Sequence, residues 1–141
     1  FAGTGSVGIE ALSRGAASAL FIDSDRMAIR TIHENLDHTG LAERATVLRA
    51  SAFDYLRRPQ PRAFDYVYIA PPQYKKLWKE ALLLLDSQPH HLNPDGIVIV
   101  QIDPSEQEPV TLDALEPYDE RRYGKTLLWF FERIEQDDAA G

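Results

Sequence analysis

The chain reads as an α/β domain of the doubly wound kind, a mostly parallel sheet flanked by helices, with its last strand antiparallel. Three observations predict it. A glycine-rich turn opens a helix within the first stretch, FAGTGSVGIEALSRG. Short apolar runs then alternate with amphipathic stretches of helical period. Two strand-like runs, about 118–123 and 126–133, are joined across Gly124-Lys125, a two-residue link that suits a hairpin.

In order, Gly3, Gly5 and Gly8 stand at the spacing G-x-G-x-x-G, which lets a backbone turn tightly, approach a ligand and pack the next helix on a sheet. That helix is expected from about Ser6 to Arg14, with Val7, Ala11 and Leu12 as its apolar face and Gly15 as its stop. Its unpaired N-terminal amides and the positive end of its dipole suit an anion. The plainer alternative is a turn that only packs helix on strand. Such a turn follows a buried strand, and none precedes Phe1. A fragment lacking a central first strand is therefore expected, with two neighbours left with unpaired edges.

Residues 19–23, ALFID, form a parallel-type strand that ends in Asp23, where a carboxylate can accept from both hydroxyls of a ribose. Asp25 reads as the cap of a helix over 26–38 with Ala28, Ile29, Ile32 and Leu36 buried, which leaves Asp23 free for a ligand; Asp23 as a cap is the alternative. Gly40 ends that helix. ATVLRA, 45–50, is the next strand, and a short helix begins near Ser51. Ser51 is placed to bond the edge of an adenine and Phe53 to flank its ring, unless Phe53 is simple core. FDYVYIA, 64–70, is a strand running into Pro71-Pro72-Gln73-Tyr74. Two prolines stiff in φ leave carbonyls free to accept, and Tyr74 offers a stacking face at the strand end where open α/β sheets hold ligands. A Pro-Pro stop before a helix is the alternative. The helix over 76–88 turns Leu77, Ala81, Leu84 and Leu85 inward, with Trp78 in the core or at a cleft edge. Asn93-Pro94-Asp95-Gly96 reads as a turn before the strand GIVIVQID.

Composition narrows the function. The net charge of −7 argues against a broad basic face for nucleic acid. It leaves room for a local footprint from Arg57, Arg58 and Arg62, from Lys75, Lys76 and Lys79, or from Arg121, Arg122 and Lys125, each of which otherwise reads as a solvated helix end or turn. There is no cysteine, which excludes disulfides and thiolate metal sites. His33, His38, His90 and His91 are read as surface residues, with no metal site among them. The runs ALLLL and GIVIV are too short to span a membrane, and a cytoplasmic protein is the default. One domain is expected over 1–133, followed by an acidic tail over 134–141.

With these residues in view, the chain resembles the class I, Rossmann-like methyltransferases that use S-adenosylmethionine, and more narrowly the RsmD-type 16S ribosomal RNA guanine-N2 methyltransferases. FAGTGSVGIEALSRGA is similar to the family's cofactor loop, FIDSD to its ribose acid and RRYGKTLLWFFER to its final strands. The family carries an N-terminal segment and first strand ahead of this loop. The resemblance implies that Phe1, Ala2, Gly3, Thr4, Gly5 and the helix start hold the methionine part of S-adenosylmethionine, Asp23 with Ser24 its ribose, and Ser51, Ala52 and Phe53 its adenine. The target amine then enters over Ala70-Pro71-Pro72-Gln73-Tyr74. It further implies ribosomal RNA or a small-subunit assembly intermediate as partner; apart from the resemblance, a monomer is expected, without membrane or metal. Two positions depart from the pattern: Ala70 stands where the family has Asp or Asn, with Gln73 in its aromatic place, and Ser51 stands where an acid is usual. Two rivals remain, a dinucleotide-dependent oxidoreductase, which shares the glycine fingerprint, and a noncatalytic cofactor-binding or RNA-binding module.

Overall fold

The computed structural model describes residues 1–59, 62–72 and 76–134. They form two compact units, Phe1–Tyr55 and the chain from Leu56 onward, each considered by itself.

The first unit holds α1 (Ser6–Ser13), β1 (Ala19–Asp23), α2 (Arg26–Thr39), β2 (Ala45–Arg49) and the start of α3 (Ala52–Arg57). β1 and β2 pair in parallel with Phe21 opposite Val47. Leu12, Phe21, Ile32 and Leu36 form the core. α2 follows its expected stripe, starts at Asp25, whose carboxylate accepts from the Met27 N–H at 3.4 Å, and ends at Gly40 with φ 71°. His33 and His38 are exposed on it as expected.

The apolar face of α1 is not the expected one. Leu12 is buried, but Val7 is 44% exposed and Ala11 is exposed too. The helix rests on its glycine instead: a Cβ at Gly8 would stand 2.3 Å from Cε1 of Phe21, so α1 lies closer to β1 than any side chain at position 8 allows. The face one turn apart, Gly8 and Leu12, meets the sheet, with Ile9 beside it. The far end of α1 is held by Arg44, whose guanidinium donates to the Leu12 and Ala16 carbonyls, each at 2.8 Å. A cation at a helix C-terminus is favoured twice, by the orphan carbonyls and by the dipole.

The second unit holds β3 (Phe64–Ile69), α4 (Leu77–Ser87), β4 (Leu92–Ile102), β5 (Leu115–Tyr123) and β6 (Thr126–Arg133), in the sheet order β3-β4-β6-β5. β3 and β4 are parallel, and β6 is antiparallel to both its neighbours, closing the hairpin with β5 across Gly124-Lys125. Val98, Val100 and Ile102 of β4 and Leu127, Trp129 and Phe131 of β6 are the buried face. Against it Trp78 is core, 1% exposed, its ring 5.8 Å from that of Trp129. Ala81 and Leu85 are buried as expected, Leu82 joins them, and Leu77 and Leu84 are only half-buried.

Three expectations are corrected here. Asn93 to Gly96 is not a turn before the strand but part of β4, as a bulge: Phe64 faces Leu92 while Tyr66 already faces Ile97. Asn93 Nδ2 pins the bulge to Asp65 at 2.8 Å, and a Cβ at Gly96 would fall 2.6 Å from Leu92, so this position too demands glycine. His91 is buried, not on the surface. Its Nε2 meets the Leu56 carbonyl at 2.9 Å; burial outweighs that bond, which favours the charged ring, and holds the pKa below the usual imidazole value. Finally β5 starts at Leu115, three residues early, because Asp86 reaches it from the end of α4. That buried carboxylate accepts from the backbone N–H groups of Asp113, Ala114 and Leu115 at 2.9, 2.8 and 2.9 Å. Beyond Leu115 the strand is exposed along its length and is bulged between Pro117 and Asp119.

Gly8→Ala is expected to destabilise the protein by about 1–3 kcal/mol, because overpacking outweighs the helix propensity of alanine. The urea midpoint measures this, and the loss should shrink in a Phe21→Leu background. Asp86→Ala strands one buried and two part-buried donors and is expected to lower stability by about 2–3 kcal/mol, with Asp86→Asn intermediate because it keeps one acceptor oxygen; equilibrium unfolding read by tryptophan fluorescence checks it.

Candidate active site

The expected cofactor residues all lie in the first unit, around the carboxyl ends of β1 and β2. The backbone nitrogens of Phe1 and Ala2 donate to the Ile22 carbonyl at 2.8 and 3.0 Å, which aligns the entering chain with β1. Gly3 and Gly5 then take positive φ, 59° and 79°, and the Gly5 N–H closes the turn on the Ala2 carbonyl at 2.9 Å. Nothing lies within 4 Å of where a Cβ of Gly3 would stand, so this side of the turn is open, whereas a Cβ at Gly5 would meet Ile32 at 3.3 Å. Thr4 is exposed, and its carbonyl accepts from Asn35 Nδ2 at 2.9 Å. Asn35 was not singled out from the sequence; the only signal for it is an amide three residues beyond Ile32, on the flank of the buried stripe of α2.

Asp23 does not stand free, contrary to expectation. Its Oδ2 accepts from the Gly3 N–H and its Oδ1 from the Asp25 N–H, both at 2.9 Å, so one carboxylate ties the glycine turn to the entry of α2. A carboxylate has about four lone-pair positions, and the two left over can accept from hydroxyls. β2 is tied to the same corner: the Ala50 N–H donates to the Asp23 carbonyl at 3.0 Å and Arg49 Nε to the carbonyl of the exposed Ser24 at 3.4 Å. The Ser51 hydroxyl accepts from the Asp54 N–H at 3.4 Å and so begins α3, with its own proton still to donate. Ala52 and Phe53 follow, half-buried, and Phe53 meets Phe1 edge-on, ring centres 5.7 Å apart. An open left-handed turn, a carboxylate with lone pairs to spare and an aromatic wall fit a nucleoside that carries a polar tail.

In the second unit Ala70 and Pro71, half-buried, and Pro72, exposed, leave the carboxyl end of β3. Gln73 and Tyr74 lie outside the described residues, as does Lys75. The chain resumes at Lys76, which takes left-handed φ 52° before α4. Its ammonium lies 3.6 Å from Glu108, and that of Lys79 lies 2.7 Å away. The bond from Lys79, foremost, keeps the Glu108 carboxyl below the usual range. Of the other cations, Arg57 meets Glu80 at 3.9 Å and Arg121 meets Asp119 at 3.4 Å. Beside the loop, the Tyr68 hydroxyl donates to Gln101 Oε1, and burial pushes the Tyr68 phenol up. A cavity of about 390 Å³ lies at the opposite end of β4, lined by Pro94, Asp95, Gly96, Glu116, Glu132 and Arg133, and contains none of the expected residues. Among the described residues no three His, Asp or Glu side chains group as a metal site, and no helix is long and apolar enough to cross a membrane.

The chain is similar to relatives of known sequence and structure. YlbH of Bacillus subtilis (strain 168), provisionally named an rRNA methyltransferase, is 36% identical over 94% of this chain and 73% of its own length. Ribosomal RNA small subunit methyltransferase D of Haemophilus influenzae is 35% identical over 72% of this chain, which spans only 53% of that relative. A crystal structure from Haemophilus influenzae, provisionally titled a methylase, superposes over 96% of this chain and 84% of its own with a TM-score of 0.83 and 29% identity. The profile of the conserved hypothetical protein 95 family matches residues 1–132, and the chain belongs to that family of Rossmann-like, RsmD-type methyltransferases.

Proposed function

We propose that this chain transfers a methyl group from S-adenosylmethionine to the exocyclic N2 amine of a guanine in small-subunit (16S) ribosomal RNA. The observation that carries the reading is the corner built on Asp23, where one carboxylate orders the glycine turn and keeps lone pairs for a ribose. Gly3, Thr4 and Gly5 would hold the methionine part, Asp23 and Ser24 the ribose, and Ser51, Ala52 and Phe53 the adenine. The cofactor supplies a methyl group made electrophilic by its sulfonium.

An aromatic amine is a poor nucleophile because its lone pair is delocalised into the ring. Carbonyls that accept its two N–H bonds hold it in line and favour pyramidal nitrogen, so no strong base is needed before attack. In this reading a backbone carbonyl of Ala70 or Pro71 accepts one of these bonds and leaves the other for a side-chain acceptor, with Pro71 and Pro72 fixing the direction of the backbone and Gln73 and Tyr74 flanking the base. A guanine within structured RNA must be unpaired or flipped out to reach such a loop. The protein works as a cytoplasmic monomer, without metal, on ribosomal RNA or a small-subunit assembly intermediate. Ala70, which lacks the polar side chain usual there, favours a second reading, a noncatalytic module that binds cofactor and RNA.

Asp23→Ala is expected to weaken S-adenosylhomocysteine about 10- to 100-fold, seen as loss of the ligand's thermal stabilisation, since charge-assisted hydrogen bonds carry roughly this much. Incubation with tritiated S-adenosylmethionine and unmodified small-subunit RNA, or its partly assembled particle, is expected to yield N2-methylguanine. Binding of S-adenosylhomocysteine without incorporation would select the noncatalytic module.

A further inference from the structure

We propose that the side-chain carbonyl of Gln101, aimed by the Tyr68 hydroxyl, is the side-chain acceptor for the target amine that Ala70 cannot supply. The proposal rests on the methyltransferase reading above and concerns the second unit alone.

The strand register places these residues together. β3 and β4 run parallel with Tyr68 opposite Ile99 and Ile69 opposite Val100, so the same register carried one residue past the end of β3 would bring Ala70 level with Gln101. Alternation along a strand puts Ile69, Val98 and Val100 on the buried face, and Tyr68, Ala70, Ile99 and Gln101 on the other, where all four are half-buried. Tyr68 does not point straight at its partner Ile99. Its hydroxyl donates to Gln101 Oε1, so the phenol leans along the strand toward the carboxyl end, where Pro71 and Pro72 begin.

This hydrogen bond decides the chemistry. A Gln side chain can present either its carbonyl or its amide group, and a tyrosine donor selects the carbonyl for this corner. The amide oxygen has two lone pairs and Tyr68 uses one. The other is an acceptor on the strand next to position 70, where the resembled family has Asp or Asn, and it is held on a strand rather than on a loop. Gln101 need not take a proton. The amine lone pair forms the N–C bond as the C–S bond breaks, the bonding pair stays on sulfur, and the surplus proton passes to water. In the proposal Gln101 is the catalytic residue and Tyr68 its positioning residue.

The test uses the protein at its full natural length with unmodified small-subunit ribosomal RNA, or its partly assembled particle, under single-turnover conditions. Gln101→Ala is expected to slow methyl transfer about a hundredfold, as loss of one preorganised contact does, with S-adenosylhomocysteine affinity and RNA KM held within about twofold. Tyr68→Phe should slow it less. Adding Ala70→Asn to Gln101→Ala should recover at least roughly tenfold, because the acceptor returns by another route. An unchanged rate in Gln101→Ala, a loss that Ala70→Asn does not relieve, or a parallel fall in S-adenosylhomocysteine affinity would each overturn the proposal. A wild-type protein that binds S-adenosylhomocysteine but methylates neither RNA nor particle would instead remove the methyltransferase reading, and this proposal with it.

Discussion

The face of Phe21 leaves no room for a side chain at position 8, and the first unit is arranged around that contact. With α1 pressed onto β1, the turn between Ala2 and Gly5 has only a short way to travel, and it covers it in two left-handed residues. Its first amides face the end of β1, so the Gly3 N–H reaches the Asp23 carboxylate. Moving α1 outward by the thickness of a methyl group would carry Gly5 and the turn along with it. Close packing and ligand geometry are thus one constraint here, because a backbone that must approach a ring closely is also a backbone with its polar groups uncovered.

Much of this was legible. The stripe of α2, the cap at Asp25, the stops at Gly15 and Gly40 and the closing hairpin rest on local rules, and local rules act within a few residues. What failed was set by partners far away in sequence. Val7 and Ala11 look like an apolar face only if the side with glycine is discounted, and the ring that makes Gly8 the inner residue is on the next strand. Asn93 to Gly96 has the chemistry of a turn and is used as a bulge, since both need the same residues to bend a chain. His91 looks polar, and its depth follows from a carbonyl 35 positions earlier. Of the candidate site, the glycine turn and Asp23 could be read directly; Asn35, Tyr68 and Gln101 could not, because their roles depend on helix packing and strand register.

Two of the carboxylates in structural use, Asp86 and Asp23, solve the same problem in opposite surroundings. Asp86 is buried, and three amides surround its two oxygens, so the groups satisfy one another and the chain before β5 is anchored. Asp23 engages two amides and remains half-buried at the rim of its unit. The difference suits their work, since a fully satisfied carboxylate is an anchor and a partly satisfied one can also receive a ligand.

The bulge in β5 has a consequence for how copies of this protein behave toward one another. The strand is the last of its sheet and has a row of backbone donors and acceptors on its outer side, which is a template for foreign strands. Pro117 removes one donor, the irregular step between Pro117 and Asp119 breaks the spacing of the rest, and Asp119, Glu120, Arg121 and Arg122 set charge along the exposed length. A neighbouring strand would find a broken ladder and a run of charge, so this border resists fibril-like growth at high concentration.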